Sequence, residues 1–102
     1  MRILLVEDEK QLSEALQQIL IKNSYNVDAV YNGDEGLDYA LTDIYDVIIL
    51  DIMLPKLNGL EILKMKRKRK ISTPVILLTA KASVEDRILG GVNNGLDVPI
   101  WW

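Results

Sequence analysis

Four residues with reactive side-chain oxygens stand just past short apolar runs. Glu7 and Asp8 follow "RILLV" (2–6), Asp51 follows "VIIL" (47–50), and Thr79 follows "PVILL" (74–78). If these runs are parallel strands, their carboxyl ends share one edge of a sheet, the edge at which open α/β sheets bind ligands. If the first and third runs are neighbours, Glu7, Asp8 and Asp51 converge. Three like charges close together repel, so at least one pKa must rise unless a cation is present. A hard divalent ion such as Mg2+ relieves that repulsion. It takes oxygen ligands, keeps several waters, and typically binds one or two carboxylates plus phosphate oxygens. Asp51 is then placed as a nucleophile towards phosphorus, with Thr79 offering a hydroxyl to a phosphoryl oxygen and Ala80 leaving room beside it. The plainer alternative stays open for each acid taken singly, because acids after a strand often cap the next helix.

The elements that must position these residues are legible as a change of period. "RILLV", "VIIL" and "PVILL" are continuous and apolar, as strands buried on both faces are, and "NVDAV" (26–30) is a further short strand candidate. Between Lys10 and Lys22, Leu12, Ala15, Leu16, Ile19 and Leu20 recur at the spacing of an amphipathic helix. "GDEGLDYAL" (33–41) opens with acids, as suits a helix N-terminus, and puts Leu37, Ala40 and Leu41 on one face. "LPKLNG" (54–59) is turn chemistry. A third helix is predicted from Leu60 to about Lys70, with Leu60, Ile62 and Leu63 inside. A fourth begins near Ser83, with Glu85 and Asp86 in its first turn and Ile88 and Leu89 inside. The resulting β-α-β-α-β-α-β-α alternation predicts a doubly wound parallel α/β sheet with right-handed crossovers.

Composition bounds the function from outside. A chain of 102 residues with 49% apolar and 26% charged residues is expected to form one domain. No apolar run approaches the length of a membrane helix, and the acids after "MRILLV" argue against a secretory signal. The chain has no cysteine, which excludes a disulfide framework and a thiolate nucleophile and fits a cytoplasmic location. It also has no histidine, which excludes Ser-His-Asp catalysis, His-ligated zinc and phosphohistidine on this chain. The net charge is −3, yet "KMKRKRK" (64–70) holds six of the twelve basic residues. A mostly acidic body with one basic cluster at a helix end is unlike a nucleic-acid domain, and the cluster complements the helix dipole.

The motifs "ILLVEDE", "VIILDIMLPKLNGLEIL" and "TPVILLTAKASVEDRI" occur in order and closely resemble the receiver domain of bacterial two-component response regulators, in particular receivers that precede a winged-helix DNA-binding domain. The resemblance covers residues 1 to about 90. It implies a flavodoxin-like sheet of strand order 2-1-3-4-5. It implies that Asp51 is the phosphoacceptor, that Asp8 binds Mg2+ directly and Glu7 mainly through water, and that the Met53 backbone carbonyl is a further ligand. Thr79 resembles the switch hydroxyl. The phosphoryl group would come from a phosphohistidine of a sensor histidine kinase, and the domain would signal in transcription regulation without being a turnover enzyme.

Residues 91–102 depart from the family pattern. Where the family resembles "GADDYLxKPF" followed by a fifth helix, this chain reads "GVNNGLDVPIWW", with Gly95, Leu96 and Asp97 as an echo. No lysine follows Lys81, so the cation that reaches the phosphoryl group in the family has no counterpart, and phosphorylation is expected to be slower and poorly coupled to Thr79. In the family's strand order the first and fifth helices share one face. Without a fifth helix that face is expected to expose apolar surface and to drive self-association, as a homo-oligomer or a segment-swapped dimer. Trp101 and Trp102 are read as cover for the bare face or as a frayed terminus.

Three functions compete on these grounds. The first is a phosphoacceptor using Asp51 and Mg2+, contacting neither nucleic acid nor membrane through this domain. The second is a truncated or engineered receiver fragment that acts only as a binding or oligomerising module. The third is a flavin- or nucleotide-binding α/β protein, disfavoured because "EDEKQ" after the first strand is acidic and lacks glycine, so it repels phosphate.

Overall fold

The computed structural model describes residues 1–78. They form β1 (Arg2–Val6), α1 (Lys10–Lys22), β2 (Asn26–Val30), α2 (Gly33–Ala40), β3 (Val47–Asp51), α3 (Gly59–Lys68) and β4 (Val75–Leu78). The strands make one parallel sheet of order β2-β1-β3-β4, the flavodoxin-like order expected from sequence. The predicted fourth helix, the expectations about a fifth strand and a fifth helix, and the tail from residue 91 fall outside the described residues. Among the described residues, no helix is long and apolar enough to cross a membrane.

The sheet reverses direction of growth after β2. The first crossover steps outwards from β1 and the next steps back across it to β3. With right-handed crossovers, α1 therefore lies on one face and α2 and α3 on the other. The face under α2 and α3 holds the main core. Leu4, Val6, Ile48, Leu50, Val75 and Leu77 of the strands pack there with Ala40, Ile62 and Leu63 of the helices. Register puts Leu5, Ile49 and Ile76 side by side on the α1 face. Coverage falls across that row. Leu5 is fully buried, Ile49 is half-buried, and Ile76 is 37% exposed.

Two helix starts are fixed by asparagine caps. Asn32 Oδ1 accepts from the Glu35 N–H at 3.0 Å, while the Asn32 side-chain amide donates to the Glu35 carboxylate at 2.9 Å. Asn58 Oδ1 accepts from the Glu61 N–H at 3.0 Å. The third helix therefore opens at Gly59, one residue before the predicted start, and ends at Lys68, where Lys66, Arg67 and Lys68 occupy its last turn. Its inner face is Ile62, Leu63 and Lys66; Leu60 is only half-buried.

The structure divides the predicted apolar stripe of α1. Ser13 is fully buried, and Leu16, Gln17 and Leu20 share its side of the helix at helical spacing. Leu12, Ala15 and Ile19 are exposed, Ile19 by 58%. A small side chain at Ser13 lets the helix approach closely, and Gln17 Nε2 donates to Ser13 Oγ at 3.0 Å, so this polar stripe carries its own partners. The apolar arc of α1 is wider than the surface it covers.

Candidate metal and phosphoryl site

β1 and β3 are hydrogen-bonded neighbours with Val6 opposite Leu50, so the residues that follow each strand emerge side by side. One carboxylate oxygen from each of Glu7, Asp8 and Asp51 lies within 4.8 Å of the others. Glu7 and Asp51 are each only 3% exposed, whereas Asp8 is exposed to solvent. The two buried acids are the paired ends of a sheet covered on both sides. The apolar run before Asp51 thus fixes where its carboxylate stands and removes the water around it.

The backbone at this edge is tied down. The Glu7 N–H donates to the Val30 carbonyl at 3.1 Å, and the Ile52 N–H donates to the Leu78 carbonyl at 3.0 Å. These bonds carry the sheet pairing past the strand ends. The Met53 N–H donates to Asp51 Oδ1 at 3.1 Å, and the Glu9 N–H donates to Glu7 Oε1 at 3.0 Å, so each buried carboxylate has its orientation set by the turn that follows it. Gly59 begins α3 against the backbone of Asp51. A Cβ there would overlap the Asp51 carbonyl oxygen, and the Gly59 N–H donates to the Ile52 carbonyl at 2.9 Å. In sequence Gly59 reads only as turn punctuation. Its position directly after the Asn58 cap signal marks a helix start that has to pass close to the strand end.

Burial raises the pKa of both acids. Glu7 is pushed up to about 7, chiefly by desolvation, with the Asp51 and Asp8 charges adding and the Glu9 N–H opposing. Asp51 is also raised, chiefly by desolvation, with the Met53 N–H and the hydrogen bond to Glu7 opposing. Two acids desolvated side by side both favour the protonated form. The expected repulsion is thus present, since the Asp51 and Asp8 charges add to the rise at Glu7. A set of converging carboxylate oxygens, with one solvent-facing member, suits a hard divalent cation.

Of the residues singled out from sequence, the structure brings together Glu7, Asp8 and Asp51 and places Met53 in the turn tied to Asp51. The Met53 side chain is exposed. Thr79 lies outside the described residues; it follows Leu78, the register partner of Asp51.

The comparisons with known proteins agree with this geometry. Residues 3–97 match the response regulator receiver domain, so the match runs past residue 90, where the clear sequence motifs stop. The chain is 49% identical over 98 residues to the transcriptional regulatory protein DltR of Streptococcus agalactiae, covering 96% of this chain and 42% of that protein. It is also 49% identical over 96 residues to the response regulator ArlR of Staphylococcus aureus, covering 94% of this chain and 43% of that protein. The chain thus spans less than half the length of these relatives. Among solved structures, a Francisella response regulator receiver domain superposes with a TM-score of 0.81 at 35% identity, covering 95% of this chain and 79% of that one. The response regulator TrrA of Thermotoga maritima, solved in complex with Mg2+ and BeF, superposes with a TM-score of 0.76 at 37% identity, covering 87% and 77%. With the strand order, the acidic edge and the sequence match in accord, the chain belongs to the response regulator receiver domain family.

Proposed function

We propose that this domain accepts a phosphoryl group on Asp51 with Mg2+ bound at the acidic edge. The observation that carries the reading is the convergence of Glu7, Asp8 and Asp51 within 4.8 Å beside a carboxylate that the sheet buries. Asp8 and Asp51 would ligate the ion directly, Glu7 mainly through water, and the Met53 backbone carbonyl would complete the protein's share. Bound there, Mg2+ offsets the negative charge of the carboxylates and of the incoming phosphoryl oxygens. A cation held there would favour the charged forms of Glu7 and Asp51, which burial otherwise disfavours. The Met53 N–H holds Asp51 Oδ1 and thereby fixes the plane of the attacking carboxylate.

An Asp51 carboxylate oxygen then attacks phosphorus of a phosphohistidine on a sensor histidine kinase. The new O–P bond forms as the P–N bond breaks, and the imidazole nitrogen leaves with the electron pair. Thr79, next in sequence to the β4 residue paired with Asp51, would donate its hydroxyl to a phosphoryl oxygen as the switch. In this reading the domain works in the cytoplasm, contacts neither DNA nor membrane itself, and is not a turnover enzyme. The alternative of a binding module without a working site is less favoured, because the full acidic set is present and its buried members are oriented by backbone donors.

A second partner is another copy of this chain, through the α1 face or by exchange of a C-terminal segment. The exposed Leu12, Ala15 and Ile19 on α1 and the exposed Ile76 on β4 support it.

The test of phosphoacceptance is chemical. With a small acyl phosphate and Mg2+, intact mass should show one phosphoryl adduct on the parent and none on Asp51→Asn. A parent that stays unmodified under all conditions sinks the proposal and restores the binding-module reading.

A further inference from the structure

The loop that carries Met53 runs into a strained turn at residues 55–57, and that turn is pinned from outside by α2. The Leu57 N–H donates back to the Pro55 carbonyl at 2.8 Å, and Lys56 between them has φ 70. That is a γ-turn in its rarer, positive-φ form, which is costly for a residue with a Cβ. The Pro55 carbonyl accepts a second bond, from the Gly33 N–H at 3.1 Å. Gly33 is the first residue of α2, and its N–H is one of the amides that a helix leaves without an internal partner.

The contact is possible only because residue 33 is glycine. A Cβ on Gly33 would overlap the Leu57 carbonyl oxygen and stand 2.7 Å from the Leu57 Cβ. Here the chain has no room to give, since the atoms opposed are backbone. The segment between Asp51 and α3 is therefore tethered along its length. Met53 N–H bonds Asp51 at one end, Gly59 N–H bonds the Ile52 carbonyl at the other, and Gly33 N–H holds Pro55 between them. The last of these comes from a separate element, as does the Ile52 N–H bond to the Leu78 carbonyl of β4, but of the two only the Gly33 bond acts beyond Met53.

We infer that Gly33 is a positioning residue for the metal site: it touches no ligand, but it holds the strained turn that aims the Met53 carbonyl at the ion. The inference rests on the Mg2+ reading above and assigns α2 a role in it. Backbone strain of this kind persists only where surrounding structure enforces it, and here the enforcing contact is the Gly33–Pro55 bond. Without it, the turn relaxes and the carbonyl leaves the ion's shell, while the three carboxylates stay where β1 and β3 put them.

Calorimetric titration with MgCl2 alone tests this on the full chain. Gly33→Ala is expected to weaken Mg2+ binding roughly 10- to 100-fold, the usual cost of losing a group that orients a metal ligand. Gly36→Ala is the control on the same helix. Its Cβ would meet Val6 Cγ1 at 2.7 Å, a side-chain contact away from the turn. It should lower the melting temperature with Mg2+ affinity unchanged. Amide hydrogen exchange on the unmutated protein gives a second readout that needs no variant. Mg2+ should slow exchange at the Gly33 amide, because ordering the turn strengthens its bond to Pro55. Equal Mg2+ affinity in the parent and Gly33→Ala, or no change in Gly33 exchange on adding Mg2+, overturns the inference. Equal losses in Gly33→Ala and Gly36→Ala overturn it too, since a general weakening of α2 would then suffice. A parent that binds no Mg2+ overturns both this inference and the metal reading beneath it, so the two failures are distinguishable.

Discussion

Glu7 and Asp51 hold charge in a place that penalises it, and this has a pH signature. Glu7 is raised from 4.5 to about 7 in the fold, so between those values the folded protein binds more protons than the unfolded chain. The stability this supplies is fully present below pH 4.5 and is lost as pH rises through about 7. The metal-free protein should therefore melt at falling temperature across that window. Glu7→Gln should flatten the fall, and saturating Mg2+ should raise the melting temperature most at the high-pH end. A melting temperature that rises with pH across the window, or a slope unchanged by Glu7→Gln, would contradict the raised Glu7 pKa. Repulsion among the three acids was legible in sequence from their places after the apolar runs. Which of them the fold buries was not. Glu7 and Asp8 are adjacent in the chain, but one is buried and the other exposed, and that follows from the direction each side chain takes as the strand ends.

At the scale of elements, α3 begins where the site ends. Asn58 caps it, Gly59 presses its first turn onto the Asp51 backbone, and Ile62 and Leu63 bury its inner face. Asn58→Ala removes the cap acceptor and should cost about 1 kcal/mol of stability, read by urea unfolding. Asn58→Asp should restore most of it, since a carboxylate accepts the same N–H; a cost unchanged by Asp would show that the cap is not the cause. β1, α1 and β2 have the bounds read from period alone, and the other described elements shift by a residue or two at their ends. Those shifts have physical causes in capping and in the sheet bond from the Ile52 N–H. Lys66 was not legible as an inner residue. It lies at helical spacing from Ile62 and Leu63 inside a basic run, and burial lowers its pKa, so its long stem covers core while the run as a whole looks solvated. The clasp between Gly33 and Pro55 was equally hidden, because it joins two turns over twenty residues apart and depends on a backbone approach that no periodicity encodes.

At the scale of the molecule, the two faces of the sheet are unequal. The α2–α3 face closes over a continuous core, while the α1 face leaves Ile76 37% and Ile19 58% exposed. Apolar surface of that kind favours association. Sedimentation or light scattering at tens of micromolar (roughly, a range that detects weak association) should show species larger than a monomer. Ile19→Lys should shift the distribution towards monomer with the fold intact. A parent that stays monomeric throughout would contradict self-association through this face. The parallel architecture was the most legible feature of all. Four short apolar runs separated by helical spacing leave few arrangements, and each run delivers its next residues to the same edge.

Asp51, not Glu7 or Asp8, is proposed to form the bond to phosphorus, with a divalent ion beside it. The most direct measurement treats the protein with a small acyl phosphate, reduces the acyl phosphate with borohydride, and maps the altered residue by peptide mass. Asp51 is expected to be modified when Mg2+ is present and to stay unmodified when the ion is chelated. Modification of Glu7 or Asp8 instead, or labelling of Asp51 that is indifferent to Mg2+, would contradict it.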